Sequence, residues 1–140
     1  MSSNIGHDPI PGLSELAPDN CALRLLNGPK AGHQFAINQL RVVIGRSDPP
    51  NIQVDIDLTQ FELNETPMIS RRHALLEWVQ GQLILTDLNS TNGTYVNGKP
   101  MQVSQDSNCP TSCSIKLNTI IILGNLEFEV INRSGLINPM

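Results

Sequence analysis

The chain has 140 residues, a length that suits one domain with short tails. A composition of 39% hydrophobic and 16% charged residues disfavours both a disordered and a membrane protein, and no apolar run approaches the roughly 18 residues of a bilayer span. The net charge of -4 argues against a nucleic-acid binder that neutralises many phosphates. We expect a cytoplasmic protein, because no basic region followed by an apolar stretch opens the sequence.

The chain begins with a segment that lacks a sustained apolar period. Residues 1–20 carry prolines and glycines and are predicted to form a flexible N-terminal tail. Short runs rich in Val, Ile, Leu and Thr follow, separated by Gly, Asn and Pro. This rhythm predicts one all-β domain over residues 21–132, and residues 133–140 are predicted to be a C-terminal tail.

About eleven strands are predicted, each bounded by turn residues. They are Ala22–Leu26, Gln34–Ile37, Arg41–Gly45, Ile52–Leu58, Ala74–Val79, Leu83–Asp87, Thr94–Val96, Met101–Val103, Ser114–Leu117, Ile120–Leu123 and Glu127–Ile131. Gln80-Gly81 and Asn97-Gly98 predict tight hairpin turns, since Gly and Asn tolerate a positive φ. A helical period appears weakly at Leu58–Asn64. The pattern favours a two-sheet β-sandwich.

Three segments carry residues that suit an anion and an extended peptide. They are Ile44–Ser47, Ile69–Ala74 and Leu85–Gly98, and all fall in loops or at strand ends. A phosphate ester has nearly two negative charges and three acceptor oxygens. Arg46 offers a guanidinium fork, Ser70 a hydroxyl and a backbone amide, and Arg71 a second cation or a backbone donor.

Beside this anion site, two polar residues suit a peptide main chain. Thr91 and Asn92 are predicted to orient the peptide, because an Asn side chain both donates and accepts.

The order GR, SxxH, NGT and NG in these segments resembles the forkhead-associated (FHA) domain family, and the resemblance extends from about Ala22 to Ile131. The resemblance implies a phosphothreonine-binding module that has no catalytic activity and no cofactor and works as an adaptor in Ser/Thr kinase signalling. Its implied partner is a phosphothreonine-containing protein, either a kinase or a kinase substrate. It implies phosphopeptide contacts by Arg46, Ser70, Arg71, Thr91 and Asn92, and structural support by Gly45, His73 and Gly93.

Two stretches depart from the family pattern. The connections at Thr59–Met68 and Gln102–Cys113 are longer than usual, and both are expected to reshape the rim of the binding surface. Met68 stands where many relatives have a polar or basic residue. The preference for residues that flank the phosphothreonine therefore does not carry over from the family.

Several alternatives stay open at the level of sequence. Ser70, His73 and Asp87 are the residue types of a hydrolase triad, although no GxSxG elbow accompanies them. A sandwich that recruits partners without phosphate is the second alternative. The spacing of Cys21, Cys109 and Cys113 indicates free thiols rather than a zinc site, and unclustered histidines predict no metal centre.

Overall fold

The apolar runs form eleven strands within residues 16–101 and 111–133, the part of the chain that the computed structural model describes. They are β1 (Cys21–Leu25), β2 (Gln34–Ala36), β3 (Arg41–Gly45), β4 (Ile56–Asp57), β5 (Arg72–Val79), β6 (Gln82–Asp87), β7 (Thr94–Val96), β8 (Lys99–Pro100), β9 (Ser112–Ile115), β10 (Ile120–Leu123) and β11 (Leu126–Asn132). One 3-10 turn, Thr59–Phe61, follows β4.

The strands form two sheets, as the sandwich prediction required. One sheet has the order β2-β1-β11-β10-β7-β8, and the other has the order β4-β3-β5-β6-β9. Neighbouring strands are antiparallel except for β3 and β4, which are parallel. The predicted all-β sandwich of about eleven strands is therefore confirmed.

The core lies between the sheets and follows from the alternation of side chains along each strand. In β11 the buried Leu126, Phe128 and Val130 alternate with Glu127 and Glu129. Further members of the same cluster lie at apolar positions of the other strands, among them Leu23, Leu25, Val42, Ile44, Ala74, Leu76, Leu83, Leu85, Ile115, Ile121 and Leu123. These positions hold the two sheets together and leave the loops to carry polar groups.

Both predicted hairpin turns are confirmed. Gln80 and Gly81 have φ of 51° and 80°, and they join Val79 to its partner Gln82. Asn97 and Gly98 have φ of 50° and 84° and connect β7 to β8. Two successive positive φ values are typical of the type I′ turn, whose twist matches that of the paired strands.

The predicted strand Ile52–Leu58 and helix Leu58–Asn64 were wrong in extent. Only Ile56–Asp57 pairs with β3, although Ile56 and Leu58, on either side of Asp57, are both buried. The Asp55 carboxylate accepts the Val43 N–H at 2.8 Å, a backbone group that a longer strand would have used. The helical signal corresponds to the 3-10 turn alone.

Two predicted strands lie earlier in the chain than expected. β8 occupies Lys99–Pro100, because the Asn97-Gly98 turn returns the chain at once, whereas the prediction was Met101–Val103. β9 is Ser112–Ile115 instead of Ser114–Leu117, since Ser112 pairs with Thr86 and the chain turns at Leu117 and Asn118.

Several predictions fall outside the described residues. These concern the tail at residues 1–15, the segment 102–110 with Cys109, and the tail at residues 134–140.

Candidate functional site

The three predicted segments meet at one end of the sandwich. Gly45, at the end of β3, pairs with Arg72, at the start of β5, and Ala74 of β5 pairs with Asp87, at the end of β6. The loops that follow β3, precede β5 and follow β6 therefore share one edge of the sandwich. The loop after β3 carries Arg46, and the loop before β5 carries Ser70 and Arg71. The loop after β6 carries Thr91 and Asn92.

Gly45 allows the first two loops to touch. A Cβ atom at this position would lie 2.0 Å from the Arg71 carbonyl oxygen and 2.9 Å from that of Ser70. The register between β3 and β5 shifts at this point, and the Arg46 N–H donates to the Arg71 carbonyl at 3.0 Å. A side chain is excluded because backbone, rather than a movable side chain, fills the space.

Residues 68–70 are bonded by side chains and loop amides because they belong to no strand. Arg46 Nε donates to the Ile69 carbonyl at 3.1 Å, and Asn92 Nδ2 donates to the Met68 carbonyl at 2.9 Å. The Thr91 N–H donates to Ser70 Oγ at 2.9 Å. Three predicted ligand residues thus converge on the segment that presents the fourth, Ser70.

His73 is completely buried beneath this segment. Its Nδ1 accepts the Ser70 N–H at 3.1 Å, so Nε2 must carry the hydrogen that bonds to the Gly93 carbonyl at 2.9 Å. Burial lowers the pKa of His73, against the Gly93 hydrogen bond and the carboxylates of Asp87 and Glu62, which raise it. The neutral imidazole therefore joins the Ser70 loop to the Gly93 loop.

The loop after β6 is closed by hydrogen bonds to Asp87. Asp87 Oδ1 accepts the Ser90 hydroxyl at 2.6 Å and the Thr94 hydroxyl at 2.7 Å. Ser90 Oγ in turn accepts the Gly93 N–H at 3.1 Å, and Gly93 has a φ of +91°. This conformation strains other residues, so Gly93 allows the turn that presents Thr91 and Asn92.

The residues of the hydrolase alternative do not form a triad. His73 Nδ1 bonds to the Ser70 backbone amide, and His73 Nε2 bonds to the Gly93 carbonyl. Neither ring nitrogen contacts Ser70 Oγ, and Asp87 is bonded to Ser90 and Thr94 instead of the ring. A nucleophile–base hydrogen bond is the geometric requirement for this chemistry, and this arrangement lacks it.

Several donors at this edge have no acceptor within the described chain. Arg46 uses Nε for Ile69, which leaves its two terminal amino groups free, and the Ser70 hydroxyl accepts a bond but donates none. The Ser70 backbone amide, predicted as a further donor, is instead bonded to His73. Arg71 lies 3.4 Å from Asp48, in a pair whose side chains are both more than half exposed. Such exposed pairs contribute little and exchange readily.

Glu62 is a contact that the sequence did not predict. Its two carboxylate oxygens accept the N–H groups of Met68 and Ile69 at 3.1 and 3.0 Å. The long connection at Thr59–Met68 therefore stabilises the loop that carries Ser70 through hydrogen bonds to Glu62. No local motif identifies a carboxylate that bonds to backbone six and seven residues later.

Four other features of residues 16–101 and 111–133 bear on possible ligands: metal-ligating groups, apolar helices, cysteines and a cavity. No group of His, Cys, Asp and Glu in these ranges suits a metal ion, and no helix there is long and apolar enough to cross a membrane. Cys21 and Cys113 are free, and burial raises the pKa of Cys21 to about 12. A cavity of about 500 Å³ opens at the other end of β5, beside Trp78 and Gly81, away from the loops with unused donors.

Comparison with known families and structures points to one family. A family model described as the FHA domain matches residues 42–118, more than half of the chain. A solved structure from work on phosphothreonine-dependent FHA domain interactions superposes with a TM-score of 0.60 at 26% identity, and it covers 86% of this chain and 99% of that one.

Two curated relatives are also similar. The oxoglutarate dehydrogenase inhibitor of Corynebacterium jeikeium is 36% identical over 128 residues, which span 91% of this chain and 82% of the relative. The glycogen accumulation regulator GarA of Mycobacterium tuberculosis is 33% identical over 92 residues, which span 66% of this chain. The alignment covers about half of GarA, 51% of its length.

Substitution of Gly45 tests the close approach of the two loops. We expect Gly45→Ala to lower the free energy of unfolding by about 1–3 kcal/mol or more, because the Arg71 and Ser70 carbonyls must move. Denaturant unfolding measures the loss. A Gly45→Ala variant as stable as wild type would contradict the close approach.

Removal of His73 tests the buried imidazole. We expect His73→Ala to lower the free energy of unfolding at pH 7 by about 1–3 kcal/mol, because the Ser70 amide and the Gly93 carbonyl lose their partner. Denaturant unfolding measures this loss directly. A variant as stable as the parent would contradict the structural role.

The pH dependence of stability provides a second test of His73. Burial lowers the pKa of His73 in the folded protein below its ordinary value of 6.5, so the unfolded chain binds more protons below that pH. The His73 contribution is therefore complete above pH 6.5 and falls as the pH drops below it. We expect wild-type stability to decrease over this range more steeply than that of His73→Ala, as measured by unfolding at a series of pH values. Parallel curves would contradict the assignment.

Proposed function

Because the chain belongs to the FHA domain family, we propose that it binds a phosphothreonine-containing segment of a partner protein at the edge formed by Arg46, Ser70, Arg71, Thr91 and Asn92. The observation that carries this proposal is the set of unused donors. The terminal amino groups of Arg46 and the hydroxyl of Ser70 lie on loops that contact each other and have no acceptor among the described residues. Together they suit the oxygens of a phosphate ester.

The main chain of the ligand has its own candidate contact. The Asn92 side chain donates one N–H to the Met68 carbonyl. Its second side-chain N–H and its Oδ1 have no partner within the described chain. An amide with one free donor and one free acceptor suits the backbone of an extended peptide. Arg71 would exchange Asp48 for the phosphate, since their exposed pair costs little to break.

The proposed role is that of an adaptor without catalytic activity. The two curated relatives are named for inhibition of oxoglutarate dehydrogenase and for regulation of glycogen accumulation. We extend to this chain only the class that these names share, a regulatory binding protein. We propose that its partner is a Ser/Thr kinase or a kinase substrate in the cytoplasm, and that neither nucleic acid nor membrane is a ligand.

Titration against a degenerate phosphothreonine peptide library, with an unphosphorylated library as control, tests the proposal as a whole. We expect selective enrichment of phosphorylated peptides. Equal binding of both libraries would favour an interaction module that does not read phosphate.

Arg46→Ala tests the phosphate contact. We expect the variant to stay folded and to lose on the order of 2–5 kcal/mol of phosphopeptide affinity, because a charged donor to the phosphate is removed. Calorimetric titration measures the loss. Arg72→Ala is a matched control that removes the same charge from the exposed start of β5. Equal losses of affinity in the two variants would show that Arg46 contributes only through its charge and makes no specific contact with the phosphate.

A matched peptide series tests the selectivity for threonine. We expect phosphothreonine to bind a few-fold more tightly than phosphoserine, because burial of one methyl group contributes about 0.8 kcal/mol and the branched side chain loses less entropy. The unphosphorylated peptide is expected to bind hardly at all. Titration at constant salt and neutral pH measures all three. Equal affinities for the two phosphopeptides would rule out selection by the methyl group.

A further inference from the structure

Glu62 extends from a turn that packs against the β1–β2 hairpin. It follows the 3-10 turn that ends at Phe61, whose ring packs 5.0 Å from that of His33 and 5.1 Å from that of Phe35. Lys30 Nζ lies 5.1 Å from the centre of the Phe61 ring. The hairpin of β1 and β2 thus anchors the turn from which the Glu62 side chain extends.

The peptide group between Met68 and Ile69 is bonded on both sides. Its N–H, that of Ile69, donates to Glu62 Oε2 at 3.0 Å. Its carbonyl, that of Met68, accepts from Asn92 Nδ2 at 2.9 Å. Hydrogen bonds in a chain polarise one another, and a carboxylate at the N–H makes the opposite carbonyl a stronger acceptor. Glu62 therefore both orients and strengthens the acceptor to which Asn92 is bonded.

The next peptide group, between Ile69 and Ser70, repeats the arrangement. Its N–H donates to His73 Nδ1 at 3.1 Å, and its carbonyl accepts from Arg46 Nε at 3.1 Å. Two successive peptide groups are thus held between an acceptor behind the loop and a donor that faces the candidate ligand. Glu62 and Asn92 thus bond to one peptide group in the same way as His73 and Arg46 bond to the next.

We propose that Glu62 is a positioning residue for ligand binding, which fixes the amide of Asn92 through the peptide group between Met68 and Ile69. This inference rests on the proposed phosphopeptide function. In it, His73 orders the group that reads phosphate, and Glu62 orders the group that reads the peptide main chain. The carboxylate of Glu62 does not touch the ligand.

Glu62→Gln tests the inference, because the amide keeps the shape of the carboxylate but cannot accept two N–H groups with two oxygens. The probe is the tightest phosphothreonine peptide from the library. We expect Glu62→Gln to weaken its binding about tenfold, as for loss of a hydrogen bond to a charged group. Glu65→Gln, which removes the same charge from an exposed position of the same connection, is expected to bind like wild type. Equal affinities of these two variants would overturn the proposal.

A double-mutant cycle with Asn92→Ala separates positioning from general support of the fold. If Glu62 acts through Asn92, Glu62→Gln changes affinity by less than about twofold in the Asn92→Ala background. A full tenfold loss in that background would overturn the proposal. Glu62→Asp keeps the charge on a shorter side chain and serves as a second variant if Glu62→Gln does not fold. We expect it to bind the phosphopeptide more weakly than Glu65→Gln, with a loss of less than tenfold.

A measurement without ligand distinguishes failure of this inference from failure of the proposed function. If wild type binds no phosphopeptide, the proposed function is overturned. The role of Glu62 is then read from the side-chain amide signals of Asn92 in NMR spectra of the free protein. We expect these signals to shift in Glu62→Gln and to stay unchanged in Glu65→Gln. Unchanged Asn92 signals in both variants would overturn the positioning role.

Discussion

The candidate site depends on how a segment without a strand partner satisfies its backbone polar groups. Residues 68–70 lie between the 3-10 turn and β5, and no neighbouring strand offers them a ladder of hydrogen bonds. Backbone N–H and C=O groups near a core must still be paired. Side chains from distant parts of the chain perform this task, so the bonds that hold the loop also fix the residues around it.

This arrangement joins the site directly to the core. His73 is buried, and Ile69, between the two bonded peptide groups, is 1% exposed. Gly124, in the turn between β10 and β11, donates its N–H to the same Gly93 carbonyl that accepts from His73. The polar edge is therefore held to both sheets, and its side chains start from a fixed framework. Pre-ordered groups lose less conformational entropy when they bind a ligand.

Much of the fold was predictable because its signals are local. Apolar runs bounded by turn residues located the strands around Leu76 and Phe128, and the Asn97-Gly98 dipeptide identified a hairpin, since both signals depend on neighbours in sequence. The order of the sequence motifs also predicted that Arg46 and Ser70 belong to one site. The strand ends were harder, because carboxylates such as that of Asp55 replace backbone partners there. Glu62 carries no sequence signal, since its partners are defined only by the folded loop.

The outer strands of both sheets are short, and this bears on self-association. β4 and β8 have two residues each and β2 has three, and Pro100 in β8 has no N–H to donate. Strand β9, with four residues, places the exposed Ser112 and Ser114 at the remaining edge. Unpaired edges are templates for edge-to-edge aggregation, and short or proline-containing edges offer few groups to an incoming strand. The described sheets are thus poor seeds for intermolecular β-structure.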